Sequence, residues 1–149
     1  MDIAAWTQRY RSGADLPRQE FQRRLARITG HQRTAVWAWL DSNESWSESA
    51  PGPLQGVPFA AKDLFRLRGT PTMAGSIIPA RTAREDGALI AQLRALGALP
   101  VAKTQLHEFA YGLTGENPHY GDVNHPGHPD RTAGGSSSGS AAAVAGGVV

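Results

Sequence analysis

The sequence predicts an α/β protein in which N-terminal helices precede the first part of a mixed β-sheet flanked by helices. Apolar residues recur at helical spacing early in the chain, a strand–helix–strand succession lies between positions 56 and 102, and a glycine/serine loop at 134–140 leads into an alanine-rich segment. A strand, a helix and a strand in succession favour parallel pairing. We therefore expect an N-terminal helical segment over residues 1–50 and a sheet-containing part over residues 51–149.

The N-terminal segment is predicted to contain three helices. The first two each carry an apolar face, which consists of Ile3, Trp6 and Tyr10 in one and of Phe21, Leu25 and Ile28 in the other. Pro17 suits the first turn of the second helix, and Gly30 suits its end. The span 35–40, which carries two tryptophans, is predicted as the third helix.

In the second part of the chain, two short strands are predicted on either side of a helix. The strands cover residues 56–61 and 98–102. Between them, a stripe of leucine and isoleucine indicates a helix that begins with Asp86 as its N-cap and ends at Gly97. Residues 114–133 are rich in glycine and proline, so they predict a long irregular loop of the kind that often carries function.

Composition narrows the classes of function. The chain is 40% hydrophobic and 19% charged, with a net charge of +2, and its basic residues are too scattered for a nucleic-acid-binding stripe. It has no cysteine, which excludes disulfides, thiolate metal sites and a cysteine nucleophile. The N-terminus does not resemble a secretory signal, and the apolar run at 141–149 is too short to span a bilayer. We therefore expect a cytoplasmic protein that contacts neither membrane nor nucleic acid directly.

The loop at 134–140, Gly-Gly-Ser-Ser-Ser-Gly-Ser, is the most informative segment. Its small residues let backbone N–H groups and hydroxyls approach a ligand, and the helix that follows favours developing negative charge at its N-terminus. A flexible linker is disfavoured because that helix follows directly. A phosphate-binding loop would need a lysine where Ser140 stands, and a Gly-x-Ser-x-Gly nucleophile elbow would need a preceding apolar strand and a later histidine.

A lysine base is the remaining interpretation of this loop. The predicted strand before Lys62 would bury the stem of that side chain, and a buried lysine loses its charge more easily and can then accept a proton from a serine. The alternative is an ordinary surface lysine paired with Asp63. A metal site is not predicted, because no carboxylate cluster or helical frame accompanies the histidines at 119, 125 and 128.

Four segments, taken in order, resemble the amidase signature family. They are 56–63 (Gly-Val-Pro-Phe-Ala-Ala-Lys-Asp), 103–112 (Lys-Thr-Gln-Leu-His-Glu-Phe-Ala-Tyr-Gly), 117–121 (Asn-Pro-His-Tyr-Gly) and 132–143 (Thr-Ala-Gly-Gly-Ser-Ser-Ser-Gly-Ser-Ala-Ala-Ala). Together they are far more specific than any one motif. The resemblance implies that residues 51–149 are the N-terminal portion of an amidase signature domain, an incomplete form of that fold. It also implies hydrolysis of a carboxamide without a metal or organic cofactor.

The resemblance further implies a Ser–cis-Ser–Lys triad. By position, Lys62 matches the family's base, and Ser136 matches the serine that follows a cis peptide and relays the proton. Gly134, Gly135 and Ser137 fall where the substrate is expected to bind. The serines expected to bond loop backbone and cap the helix are Ser137, Ser138 and Ser140.

One departure from the family concerns its nucleophilic serine. That serine lies in a second glycine/serine motif after the cis-serine, and the sequence ends at Val149 before any such motif. We therefore expect an N-terminal fragment that is inactive by itself. Two alternatives stay open: the glutamine-hydrolysing subunit of a tRNA-dependent amidotransferase, and a non-catalytic remnant or interaction fragment. The expected partners are a small-molecule amide and either further copies of the chain or the other components of an amidotransferase.

Overall fold

A mixed sheet with helices packed against it forms the centre of the computed structural model, which describes residues 3–13, 17–28, 35–41 and 49–149. The helices are α1 (Ile3–Arg11), α2 (Pro17–Leu25), α3 (Ala88–Ala95) and α4 (Ser138–Ala145). The strands are β1 (Trp37–Leu40), β2 (Pro58–Lys62), β3 (Leu99–Thr104), β4 (Asn124–His125) and β5 (His128–Thr132). The fold is thus α/β, as predicted. No helix in these ranges is long and apolar enough to cross a membrane.

The main sheet has the order β1-β3-β2, with β3 at its centre. β2 pairs with β3 in parallel, and β1 pairs with β3 in antiparallel orientation. The parallel pairing predicted for the two strands around α3 is confirmed. Because β2 and β3 are parallel, their carboxyl ends meet at one edge of the sheet, where Lys62 is paired with Thr104.

The core lies between this sheet and the helices α2 and α4. All six residues of β3 are buried, as expected for a strand covered on both faces. Phe21 of α2 is fully buried and meets Trp37 edge to face, with ring centroids 6.4 Å apart. Phe21, Leu25 and Ile28, the apolar residues predicted for the second helix, are all buried. The helix itself is shorter than predicted, since α2 ends at Leu25 and Ile28 lies beyond it. In α1 the prediction holds for Trp6, which is buried, whereas Ile3 is exposed.

The prediction of a third helix over 35–40 is wrong. Ala35 and Val36 have helical geometry, but the chain continues as β1, which is hydrogen-bonded to β3. Tryptophan fits a half-buried pleated surface well, so pairing with the central strand and contact with Phe21 outweigh the local helical pattern. Gly30, the predicted end of the second helix, lies outside the described residues.

Helix α3 begins later than the sequence predicts. Its N-cap is Gly87, and Asp86 is instead engaged in tertiary contacts. The Asp86 carboxylate accepts a hydrogen bond from the Arg68 backbone N–H at 2.8 Å and forms an ion pair with Arg94 at 2.9 Å. The predicted stop is confirmed, since the helix ends at Ala95 and Gly97 follows with φ +93°.

Residues 114–133 are only partly the irregular loop that was predicted. Their second half forms the antiparallel hairpin of β4 and β5. At its turn, the Gly127 N–H donates to His125 Nδ1 at 3.0 Å. Glycine and proline in this segment therefore indicate the turn of a hairpin in its second half, as well as an irregular loop in its first half.

Candidate active site

The edge where β2 and β3 end is covered by the glycine/serine loop and the start of α4. The Gly139 N–H donates to the Gln105 carbonyl at 3.1 Å, and the hydroxyls of Ser140 and Thr104 are 2.7 Å apart. A Cβ on residue 139 would lie 2.6 Å from the Val36 carbonyl oxygen and 2.7 Å from that of Gln105. Glycine at this position therefore allows the helix to approach the strand ends closely.

This close approach brings Lys62 to two hydroxyls of the loop. Lys62 Nζ lies 2.8 Å from Ser136 Oγ and 2.8 Å from Ser137 Oγ. Burial lowers the pKa of the Lys62 ammonium, because its charged form loses hydration. A lysine with a lowered pKa in hydrogen-bond contact with serine hydroxyls can exchange protons with them.

Asp63 does not pair with Lys62, so the alternative of a surface ion pair between these neighbours is wrong. Its carboxylate forms a buried ion pair with Lys103 of β3 and also accepts the Met73 N–H at 2.9 Å. Lys103 donates as well to the Pro71 carbonyl at 2.6 Å and to Thr72 Oγ1 at 3.1 Å. Burial lowers the pKa of Lys103, and the Asp63 carboxylate partly opposes this effect.

The backbone of the loop is held by close contacts around its paired glycines. The Gly135–Ser136 peptide bond is cis, the geometry implied by the resemblance, and the Ser136 carbonyl accepts the His107 N–H at 3.0 Å. Gly134 has φ +75°, which favours glycine. A Cβ on residue 135 would lie 2.8 Å from the Gly115 nitrogen, so packing against the neighbouring loop requires glycine there too.

The other serines of the loop differ from the predicted capping role. Ser137 occupies the N-cap of α4, but its side chain makes no capping hydrogen bond. Ser138 Oγ is buried without a hydrogen-bond partner among the described residues, and Ser140 bonds the Thr104 side chain. For Ser137 the capping prediction is therefore wrong, because Lys62 engages its hydroxyl.

The family model described as Amidase matches residues 25–149. The chain belongs to the amidase family. Its structure agrees with this assignment: a solved structure of an amidase superposes with a TM-score of 0.85 at 38% identity, covering 99% of this chain and 37% of that one.

Curated relatives include hydrolases and one component of a larger complex. Indoleacetamide hydrolase of Pseudomonas savastanoi is 47% identical over 98 residues, which are 65% of this chain and 22% of that protein. A glutamyl-tRNA(Gln) amidotransferase subunit of Akkermansia muciniphila is 35% identical over 148 residues, which are 96% of this chain and 32% of that protein. The chain thus spans about a fifth to a third of the length of these relatives.

Asn117 is a residue of this amidase-family chain whose role the sequence did not reveal. Its buried side-chain amide donates to the carbonyls of Gly75 (2.8 Å) and Leu106 (3.1 Å), and its Oδ1 accepts the N–H groups of His119 (2.9 Å) and Tyr120 (3.0 Å). One side chain thereby joins three segments beside the site. In the sequence, Asn117 stood out only as part of the Asn-Pro pair in the resembling segment 117–121. That pair gave no indication of the residues to which the Asn117 side chain is hydrogen-bonded.

Beside Asn117, Glu108 forms a second polar contact that the sequence did not specify. Its carboxylate lies 3.2 Å from His119 Nε2. Hydrogen bonding from Ser76 lowers the pKa of Glu108, and His119 lowers it further. Within the described residues, no group of three histidine or carboxylate side chains is arranged to hold a metal ion.

Proposed function

We propose that Lys62 and Ser136 are the base and the proton relay of an enzyme that hydrolyses a carboxamide C–N bond. The observation that carries this proposal is the 2.8 Å contact between Lys62 Nζ and Ser136 Oγ at the N-terminus of α4. The lowered pKa of Lys62 increases the fraction of neutral amine that can act as a base. Membership of the amidase family supports the same chemistry.

In the proposed mechanism, neutral Lys62 accepts the hydroxyl proton of Ser136, and Ser136 takes a proton from a nucleophilic serine. That serine attacks the amide carbonyl, and the stored proton returns through Ser136 to the leaving nitrogen. Water then hydrolyses the acyl-enzyme to release the acid and the free serine. The role of nucleophile falls to a further serine, which the resemblance places after the loop at 134–140.

The remaining site residues have supporting roles in this proposal. Gly134 and Gly135 precede Ser136 in the loop, and Ser137, whose hydroxyl contacts Lys62, follows it, so we assign these three residues to the place where the amide binds. Residues 51–149 belong to the N-terminal portion of the catalytic domain, and residues 1–50 contribute the helices α1 and α2 and also β1, which joins the main sheet. Because the 149 residues do not include the assigned nucleophile, we expect them to release no ammonia by themselves.

The test uses the protein expressed from its complete reading frame, with release of ammonia from primary amides as the readout. Lys62→Met and Ser136→Ala should each reduce kcat by about 10²–10⁴, the range for loss of general acid–base catalysis. Ser140→Ala is the matched control, because its hydroxyl bonds Thr104 instead of Lys62. Full activity of either catalytic variant would refute the assigned role. An inactive wild-type protein would favour the non-catalytic remnant.

A second candidate is the glutamine-hydrolysing subunit of a tRNA-dependent amidotransferase. It is favoured by the 35% identity over 148 residues to one component of such a complex. This role predicts that partner proteins co-purify with the chain and that glutamine supports conversion of misacylated tRNA. Hydrolysis of simple amides without partners would favour the stand-alone hydrolase.

A further inference from the structure

Ser137 stands at the N-cap of α4 but does not cap the helix. A serine at this position normally accepts a hydrogen bond from the second or third helical N–H, which stabilises the start of the helix. Here its φ of −92° and ψ of 43° accompany a side chain without a capping bond, and Oγ lies 2.8 Å from Lys62 Nζ. The Ser137 hydroxyl therefore forms a hydrogen bond with Lys62 instead of capping the helix.

Both serine hydroxyls contact Nζ at 2.8 Å, and the chemistry of the amine allows these two contacts to have different roles. A neutral lysine amine has two N–H donors and one lone pair, and it rotates about the Cε–Nζ bond between staggered positions. To accept the Ser136 proton, the lone pair must face Ser136 Oγ. A second acceptor that engages one N–H favours the rotamer in which the lone pair faces Ser136. Ser137 Oγ, 2.8 Å from Nζ, is within hydrogen-bond distance to act as that acceptor.

The charged neighbours of Lys62 do not provide this orientation. Asp63, which directly follows β2, and Lys103 of the neighbouring strand β3 form a buried pair with each other. The loop and helix over 134–149 contain no ionisable side chain. His107, which follows β3, contacts Ser136 through its backbone N–H.

We propose that Ser137 is a positioning residue, which accepts an N–H of Lys62 and thereby directs the amine lone pair at the Ser136 hydroxyl. This inference rests on the proposed role of Lys62 as the base. Ser137 itself exchanges no proton with the substrate. Its hydroxyl also accepts from the protonated lysine, so it stabilises the ammonium that forms when the Ser136 proton is transferred.

The first experiment measures the contact without any enzymatic reaction. The chain has two lysines, Lys62 and Lys103, so lysine labelled with ¹⁵N gives two side-chain signals, which the Lys62→Met variant assigns. Ser137→Ala should lower the pKa of Lys62, because the ammonium loses an acceptor, whereas Ser137→Thr and Ser140→Ala should leave it unchanged. The buried Lys103 is an internal control, since its unchanged signal shows that each variant remains folded.

The second experiment measures kcat and KM in the protein from the complete reading frame. In Ser137→Ala the Lys62 amine is misdirected, so kcat should fall by about 10–100-fold while KM stays within about twofold of the wild type. This is in line with the cost of small misplacements at catalytic groups. Ser137→Thr should recover most of the activity. An unchanged pKa and kcat in Ser137→Ala, or equal defects in the Ala and Thr variants, would overturn the proposal. Retained activity in Lys62→Met would instead refute the proposed function, whatever Ser137 does.

Discussion

Replacing Lys103 by methionine should destabilise the protein strongly. Lys103 is fully buried and donates to three acceptors: the Asp63 carboxylate, the Pro71 carbonyl and Thr72 Oγ1. Methionine fills a similar volume but donates nothing. Asp63, a residue that is 1% exposed, would keep the hydrogen bond from the Met73 N–H and lose its counter-charge.

The expected loss in free energy of unfolding follows from leaving the Asp63 carboxylate buried without its positively charged partner. Breaking a buried ion pair from one side costs about 3–5 kcal/mol, whereas removing both charges is much better tolerated. For a chain of 149 residues, that loss corresponds to a fall in Tm of about 6–20 °C. The double variant Lys103→Met/Asp63→Asn should recover part of the stability, because no unpaired charge is then left inside.

Denaturant unfolding followed by fluorescence of the four tryptophans measures these free energies. The matched control is Arg66→Met, since Arg66 and Glu85 form an exposed ion pair at 3.7 Å, and such pairs contribute about 0–1 kcal/mol. The reasoning is refuted if Lys103→Met unfolds within about 1 kcal/mol of the wild type, the upper contribution of an exposed pair. It is refuted equally if the double variant is no more stable than Lys103→Met.

The structure supports two other predictions. Because burial lowers the pKa of Lys62, the unfolded chain binds more protons between that pKa and 10.5, so the free energy of unfolding should rise with pH in this window. Lys62→Met should remove part of the rise in unfolding experiments from neutral to alkaline pH, and an identical slope would contradict the prediction. Gly139→Ala should destabilise by about 1–3 kcal/mol, although alanine is the better helix former, since its Cβ would lie 2.6 Å from a backbone oxygen. Gly127→Ala is the control, because a Cβ there would lie no closer than 3.5 Å to another atom, and its stability should stay within about 0.5 kcal/mol of the wild type. Equal losses of stability in the two variants would show that the close approach of residue 139 to the strand ends is unimportant.

Local patterns in the sequence determined most of the order of elements. The strands β2 and β3, the helix between them and the helix after the glycine/serine loop follow from apolar spacing, from Gly97 and from the alanine-rich segment, all of which act within a few residues. β1 could not be predicted in the same way. A short apolar run with two tryptophans suits a helix or a strand, and the partner that decides between them, β3, lies more than sixty residues away in the sequence.

In the candidate site, too, the sequence indicated some features and the tertiary structure decided others. Its motifs marked Lys62 and Ser136 by resemblance, but these residues are 74 positions apart and only the tertiary structure brings Nζ within 2.8 Å of Oγ. Local rules predicted that Ser137 caps its helix and left open a pairing of Asp63 with Lys62; the structure instead joins Ser137 to Lys62 and Asp63 to Lys103. Successive side chains of a strand point to opposite sides, so two neighbours in sequence contact different partners. The sequence by itself determined which groups are available, and packing of distant segments decided which of them meet.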